Sequence, residues 1–528
     1  MQNQVNTMIK TLSKAMLAAV AAMSLTGCDD YFDLQPSNEM VLDEFWKSEE
    51  DVLSVTGSCY RTMQEGDFLK RALVWGEFRG DNVILSQTNT DNDLRYIANL
   101  NLLPSNWYTN WGKFYEVINL CNTVEYFAPG VREEDPNFTQ SQLNAYLAEV
   151  KGLRAWSAFT LVRAFRDIPF TTVPTIDDTE EFSLPQRDPD EIIDFLIQDL
   201  KDIEPYAAST YSNRTYTKGR ITQAAIRAII ADMCLWRGRY DEVVDYCDRI
   251  LNDANNPLIL ESSMSFSRNL FIDGISSETI FELQFNQQNN MINSVVGEYY
   301  ALPTQGGSQK LTATEIGDET SSLFAETDIR RKTSMYSNSG NCMIQKYVGY
   351  LTANELSGTS NITSASYHTG DISPHWANWI VYRLPDIYLM KAEALCESGT
   401  DLEEAFRLAC ITYDRANPEA GAGSLSFENY SSREALLNFI FDERRREFLF
   451  EGKRYFDILR RISHHRDQFR TLVSTYLAPK YADLDQSTVS SKLSVYDALF
   501  VPINDKELRA NLLLVQNPFY KTSSDISH

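Results

Sequence analysis
Residues 222–236 read TQAAIRAIIADMCLW, and Arg237-Gly238-Arg239-Tyr240 separates them from a second run at 241–251. Apolar residues recur every three or four positions in both runs, the period of an amphipathic helix. Ala224, Ala225, Ala228 and Ala231 are small enough to let a second helix approach closely. Gly238 stands where a chain that ends one helix and reverses direction needs a left-handed residue. The stretch predicts two antiparallel helices joined by a tight turn.

The arrangement recurs at 386–396, 397–400 and 401–415, and again at 433–450, 451–453 and 454–462. This is the tetratricopeptide style of helix–turn–helix, with units too widely separated for a simple tandem array. Upstream, Ser48-Glu49-Glu50-Asp51 resembles a capped helix start, followed by Val52, Val55, Cys59 and Met63 at helical spacing. Further helices are expected at 111–127, at 144–165 and at 189–203, the second stopped near Pro169. Residues 254–380 differ. Alternation at 279–285 predicts a strand, 286–293 (NQQNNMIN) is polar, and 351–373 is rich in Ser, Thr, Gly and Asn. These segments predict long loops over a helical scaffold. Residues 501–520, with breakers Pro502 and Pro518, are expected to be irregular. The fold class is all-α, with minor β-strand content.

The N-terminus reads as an address. Lys10 and Lys14 precede an apolar stretch, AMLAAVAAMSL at 15–25, too short for a membrane span of about 20 residues. Leu25-Thr26-Gly27-Cys28 follows and resembles a bacterial lipobox, in which Cys28 is acylated and begins the mature chain. Residues 1–27 are thus a signal peptide and 28–37, starting DDYFD after the cysteine, an acidic tether. Residues 38–528 form one domain with an N-terminal helical part at 38–253, a loop-rich part at 254–380 and a C-terminal helical part at 381–528. The 528 residues carry 73 acids against 48 bases, a net charge of -25. That excess disfavours nucleic-acid binding and a basic hold on anionic lipid. Seven cysteines remain besides Cys28; none forms a CxxC, and they read as small buried hydrophobes.

Catalytic motifs are missing. The sequence holds no P-loop, GxGxxG, HExxH or GxSxG. His368 and His375 lack metal-ligand spacing, so no metal or cofactor is expected. Asp91-Asn92-Asp93 is rich in oxygen but lacks the glycine and terminal Glu of a calcium loop. Glu443-Arg444-Arg445-Arg446-Glu447 reads as helix surface, with Asp442–Arg446 at i,i+4 and Glu443–Arg446 at i,i+3 as ordinary ion pairs. Arg383 and Asp386 are expected to cap or brace a helix.

Several segments together resemble the SusD/RagB family of Bacteroidetes outer-membrane lipoproteins. They are the lipobox and tether, AEVKGLRA at 148–155 continuing to RDIP at 166–169, KGRIT at 218–222, ETIFE at 278–282 and DIR at 328–330. YRLPDIYLMKAEA at 382–394, ER at 443–444, FEGKRYFDI at 450–458, FVPI at 500–503 and QNPFY at 516–520 complete the set. Arg166 departs from the family's usual glycine, and Pro385 from its usual alanine. The resemblance implies about four tetratricopeptide-like hairpins supporting a loop-rich ligand face. It implies a non-enzymatic role: binding glycan or another oligomeric nutrient at the cell surface, as a lid over a TonB-dependent transporter of the SusC type. It also implies attachment to the outer membrane through lipid on Cys28. A helical-repeat scaffold for protein partners and a surface glycoside hydrolase are the alternatives.

Ligand contacts are sought among aromatics in or beside loops, because a sugar's C–H face stacks on a ring while its hydroxyls need planar polar partners. Trp107, Tyr299, Tyr300, Tyr367, Trp376 and Trp379 are the candidate rings, with Asn110 and Asn378 as hydroxyl partners. Each ring has buried packing as its alternative role. Trp46, Trp156 and Trp236 fall within helical patterns and are assigned to packing.

Overall fold
The decisive hairpin forms as its pattern requires. Thr222 accepts a hydrogen bond from the Ala225 N–H at 3.3 Å and starts helix Gln223–Trp236. Gly238 adopts φ 68°, a left-handed conformation that costs glycine little, and helix Tyr240–Leu251 returns. Ala224, Ala225, Ala228 and Ala231 are all buried. The computed structural model describes residues 45–176, 183–288, 290–314, 323–338, 341–358, 362–363, 366–368 and 374–521. Cys28 and the lipobox lie outside them.

The longer helices are α1 (Glu49–Gln64), α2 (Gly112–Glu134), α3 (Gln140–Phe165), α4 (Pro189–Ile203), α5 (Gln223–Trp236), α6 (Tyr240–Leu251), α7 (Leu384–Ser398), α8 (Leu402–Ala416), α9 (Arg433–Glu447) and α10 (Arg454–His464). The described residues from Ser48 onward form one compact unit. α2 packs on α3, α5 on α6 and α7 on α8, while α9 and α10 meet through Arg444–Asp457 at 3.0 Å. The fold is mostly helical, as the sequence implies. Ser48 and Asp51 form the expected capping box of α1, which buries Val52, Cys59 and Met63. α7, α8 and α9 share a core that includes Leu389, Leu408, Leu436 and Ile440. Burying each such side chain contributes about 1.5–3 kcal/mol. Among the described residues no helix is long and apolar enough to cross a membrane, and Cys59, Cys121, Cys234, Cys247, Cys396 and Cys410 are free thiols.

Arg166 ends α3 with φ 70°, strained for a side chain with a Cβ. Its guanidinium compensates by pairing with Asp167 at 2.7 Å and Asp497 at 2.6 Å.

Strands are few. β1 (Val83–Leu85), β2 (Ile168–Pro169), β3 (Gln186–Arg187), β4 (Thr279–Leu283), β5 (Leu311–Ala313), β6 (Met335–Asn338), β7 (Asn341–Ile344) and β8 (Trp379–Arg383) occur in chain order. One sheet has the order β1-β5-β7-β6, with every pairing antiparallel. β2 pairs with β3, and β4 with β8. The strand expected at 279–285 ends at Leu283, and all five of its residues are buried, so both its faces are covered.

A buried ionic cluster joins the loop-rich part to the C-terminal helices. Arg330 lies 2.7 Å from Asp328, 2.6 Å from Glu443 and 3.0 Å from Glu447. Arg383 reaches Glu278 at 3.0 Å, Glu451 at 2.7 Å and also Glu447. Arg415 meets Glu278 at 3.0 Å and again Glu447, while Lys346 lies 2.6 Å from Glu451. None of these side chains is more than 4% exposed. This corrects the surface reading of 443–447. The Glu443–Arg446 pair forms at 2.9 Å, but inside the molecule, where Arg330 supplies the distant partner. Burial works against the ionised Glu447, yet Arg415, Arg383 and Arg330 hold its carboxyl far below the usual range. The expected brace also forms: the Arg383 N–H donates to Asp386 at 3.1 Å.

Candidate functional site
The turn that carries Trp107 is fixed by polar side chains on each side. Asn106 accepts from the Tyr108 N–H at 2.9 Å and donates to the Asp93 carbonyl at 3.0 Å. The Asp93 carboxylate accepts from the Trp107 N–H at 3.3 Å, and the Asn504 amide donates to Thr109 Oγ1 at 2.8 Å. The oxygen-rich 91–93 run is therefore scaffolding: Asp91 caps helix Asn92–Ala98 through the Leu94 N–H, and Asp93 holds the Trp107 turn.

Trp107 is half-buried. The Arg71 guanidinium stacks 3.7 Å from its ring centroid, and Arg71 Nε donates to its carbonyl at 3.3 Å. Tyr108 packs its ring nearly perpendicular to the indole at 4.8 Å. Arg71 is itself 3% exposed; burial lowers its pKa, opposed chiefly by Asp67. Trp107 and Arg71 line a cleft of 780 Å³ together with Asp67, Asp93, Ser105, Asn110, Lys113, Glu116, Asp505, Lys506 and Arg509. Asn110 Oδ1 accepts from the Gly112 N–H at 2.9 Å, which leaves its amide N–H groups for the cleft. Acids and bases are balanced around this space, unlike the molecule as a whole.

Beneath the turn, the Tyr108 hydroxyl lies 2.6 Å from that of Tyr299 and donates to Asp91 at 3.0 Å. Burial pushes both phenols far up, so they remain neutral. Lys310 spans Glu298 at 3.1 Å and Asp91 at 3.4 Å.

Of the residues singled out in the sequence, Trp107 and Asn110 share the cleft, and Tyr299 meets the Trp107 turn through Tyr108. The expectation of exposed rings is corrected for four positions. Tyr299 and Tyr300 are 0% exposed, Trp379 5% and Tyr367 7%. Tyr300 donates to the Phe450 carbonyl at 3.0 Å and Tyr367 to the Met335 carbonyl at 3.1 Å. Trp379 stacks on Tyr347 with ring centroids 5.2 Å apart. These rings fill gaps between loops and helices. Asn378 is internal bracing, accepting from the Phe285 N–H at 3.0 Å and donating to Glu282 at 2.7 Å. Trp376 is half-buried, outside the Trp107 cleft, and its indole N–H has no hydrogen-bond partner. Sequence reasoning missed Arg71, which lies 36 positions from Trp107; its i,i+4 spacing from Asp67 marks a helix and gives no hint of the stack. Among the described residues no group of three or more His, Cys, Asp or Glu could hold a metal ion.

The sequence model of the SusD family matches residues 268–520. The chain belongs to the SusD/RagB family. It is 25% identical over 481 residues to SusD-like protein P38 of Formosa agariphila, covering 85% of this chain and 91% of that one. SusD-like protein P2 of the same organism is 23% identical over 468 residues, covering 84% and 89%. Among solved structures, a SusD superfamily protein from Bacteroides vulgatus superposes with a TM-score of 0.71 at 18% identity, covering 90% of this chain and 100% of its own. A laminarin-binding SusD-like protein superposes with a TM-score of 0.66 at 19% identity, covering 89% and 99%. The SusD fold thus extends well beyond the segment that matches the family model.

Proposed function
We propose that this SusD-family protein captures a glycan or similar oligomeric nutrient in the Trp107 cleft and delivers it to a SusC-like TonB-dependent transporter, without catalysis. In this reading lipid on Cys28 holds it at the outer membrane, facing outward. The observation that carries the proposal is a half-exposed indole, backed by a guanidinium, above a roomy polar cleft. A sugar ring can lay its C–H face on Trp107 while hydroxyls reach the Asn110 amide, Asp93 and Arg71. Such stacking gives affinity without chemistry. Two of the cleft's four carboxylates have close protein partners, Asp93 on the Trp107 N–H and Glu116 on Lys113 at 2.8 Å. The laminarin-binding SusD-like structure makes laminarin a reasonable first probe.

A glycan array probed with the mature domain, followed by calorimetry, tests the binding role. At least one oligosaccharide class should bind saturably, with no reducing sugar released on long incubation. Release of reducing ends would point to a hydrolase. For the anchor, Cys28→Ala should abolish fatty-acid labelling and move the protein out of the membrane fraction; retained label would refute acylation at Cys28. Purification in mild detergent should recover a transporter barrel with the wild-type protein.

A further inference from the structure
A second concavity adjoins the Trp107 cleft. It has a volume of 530 Å³ and lies between α2, the segment around β2 and the C-terminal chain. Ile118, Pro169, Val173, Leu184 and Leu514 line it, with the ring of Tyr115. Gly112 and Glu116 line both spaces. The short helix Asp505–Ala510 divides them: Glu507 and Ala510 face the groove, while Asp505, Lys506 and Arg509 face the cleft.

The groove's polar groups are largely occupied by the protein. Tyr115 donates to the Pro169 carbonyl at 2.7 Å. Asn119 accepts from the Thr175 N–H at 2.7 Å, and Asn122 donates to the Thr171 carbonyl at 3.0 Å. Asn511 donates to the Leu184 carbonyl at 2.8 Å and accepts from the Leu513 N–H at 3.0 Å. Sugar hydroxyls placed here would lose water and gain few partners. Apolar atoms lose nothing by entering, and the only charged lining groups among the described residues, Glu116 and Glu507, disfavour an anion. Val173, one of its lining residues, is 66% exposed.

Resting on the reading of the Trp107 cleft as a glycan site, we propose that this groove seats an uncharged acyl or aromatic ester carried by the same glycan. Its continuity with the cleft through Gly112 and Glu116 selects that occupant over a separate partner. The ligand class would then be esterified oligosaccharide, with the sugar on Trp107 and the ester across Glu116.

The test uses the mature chain, the neutral dye N-phenyl-1-naphthylamine, and a feruloylated arabinoxylo-oligosaccharide beside its saponified form. The dye should bind saturably and about tenfold more weakly to Val173→Asp, because a carboxylate in an apolar pocket stays hydrated. Ile259→Asp, on an exposed residue elsewhere, should leave dye binding unchanged and so controls for general surface effects. The feruloylated sugar should displace the dye at lower concentration than the saponified one. Absence of saturable dye binding, equal binding by Val173→Asp, or equal displacement by the two sugars overturns the proposal. So does a concentration-dependent dimer that excludes the dye and is dispersed by Leu512→Glu, at an 85% exposed residue next in the chain to the lining Asn511. Trp107→Ala separates the two ideas: it should weaken the saponified sugar and spare the dye. If it spares both, the Trp107 reading fails while the apolar preference of the groove remains measurable.

Discussion
The α5–α6 hairpin and the loop-rich part at 254–380 are held by opposite means. In the hairpin, alanines and aliphatic side chains of α5 are buried at the positions the helical period assigns to the core. In the loop-rich part, Glu278, Arg330 and Lys346 meet Arg383, Arg415, Glu443, Glu447 and Glu451 of the C-terminal part inside the protein. The difference lies in tolerance. Apolar packing loses stability by degrees, whereas a buried charge deprived of its partner is left without solvation.

Breaking the ionic side should have the largest effect. Glu447 serves Arg330, Arg383 and Arg415, so Glu447→Gln should cost about 3–5 kcal/mol, the range for breaking a buried pair. Urea unfolding measures the loss. Hydrogen exchange should show β4, β8 and helix Ile329–Ser334 opening before α5 and α6. If the hairpin opens first, the division between the two regions is wrong.

Acid should act in the same direction. Glu447 titrates well below its ordinary value, and Asp457, with Arg444 and Arg460 outweighing its burial, at about 2. Groups depressed in the folded state stabilise it above their unfolded values and lose that contribution as pH falls through the folded ones. Stability from this source should hold at pH 5 and decline between pH 4 and 2. Glu282 has the opposite sign. Burial raises it to about 7, against hydrogen bonds from the Ile275 N–H and Asn378. The unfolded chain ionises first, so this residue costs stability as pH rises from about 4.5 to 7. Glu282→Gln should therefore gain on the order of 2 kcal/mol relative to the parent between pH 5 and pH 8. An unchanged difference at the two pH values would rule out a neutral buried Glu282.

Within the hairpin the effects should be smaller. Ala228→Leu adds volume to a 0% exposed site and should cost about 1–3 kcal/mol by overpacking, leaving exchange in 254–380 unaltered. Arg166→Gly relieves the positive φ but removes the pairs to Asp167 and Asp497, so the change should stay within about 1 kcal/mol. A larger loss in thermal unfolding would show that the ion pairs outweigh the strain.

The same contrast explains what could be read in the sequence. Period, cap residues and Gly238 act locally, so α1, α5–α6 and α7–α8 were legible, as was strand β4. The cluster at 443–447 was misread as surface because i,i+3 spacing identifies a neighbour on the helix but not Arg330, 113 residues away. The site divides likewise. Trp107 and Asn110 were found because they precede a helix beside a proline, yet loop position alone could not separate them from Tyr299, Tyr300, Tyr367 and Trp379. A loop that folds back on a scaffold buries its own aromatics, and only the packing reveals which ring remains accessible. Arg71, the cation on Trp107, had no local signal toward that role.

The central claim is that Trp107 is the platform of a glycan site. Calorimetric titration of the mature domain and its Trp107→Ala variant with the best array ligand, alongside thermal unfolding of both, tests it most directly. The account predicts that the variant loses at least about tenfold in affinity, as at a binding hot spot, while melting shifts by no more than a few degrees. Equal affinity for the glycan in parent and variant would contradict it.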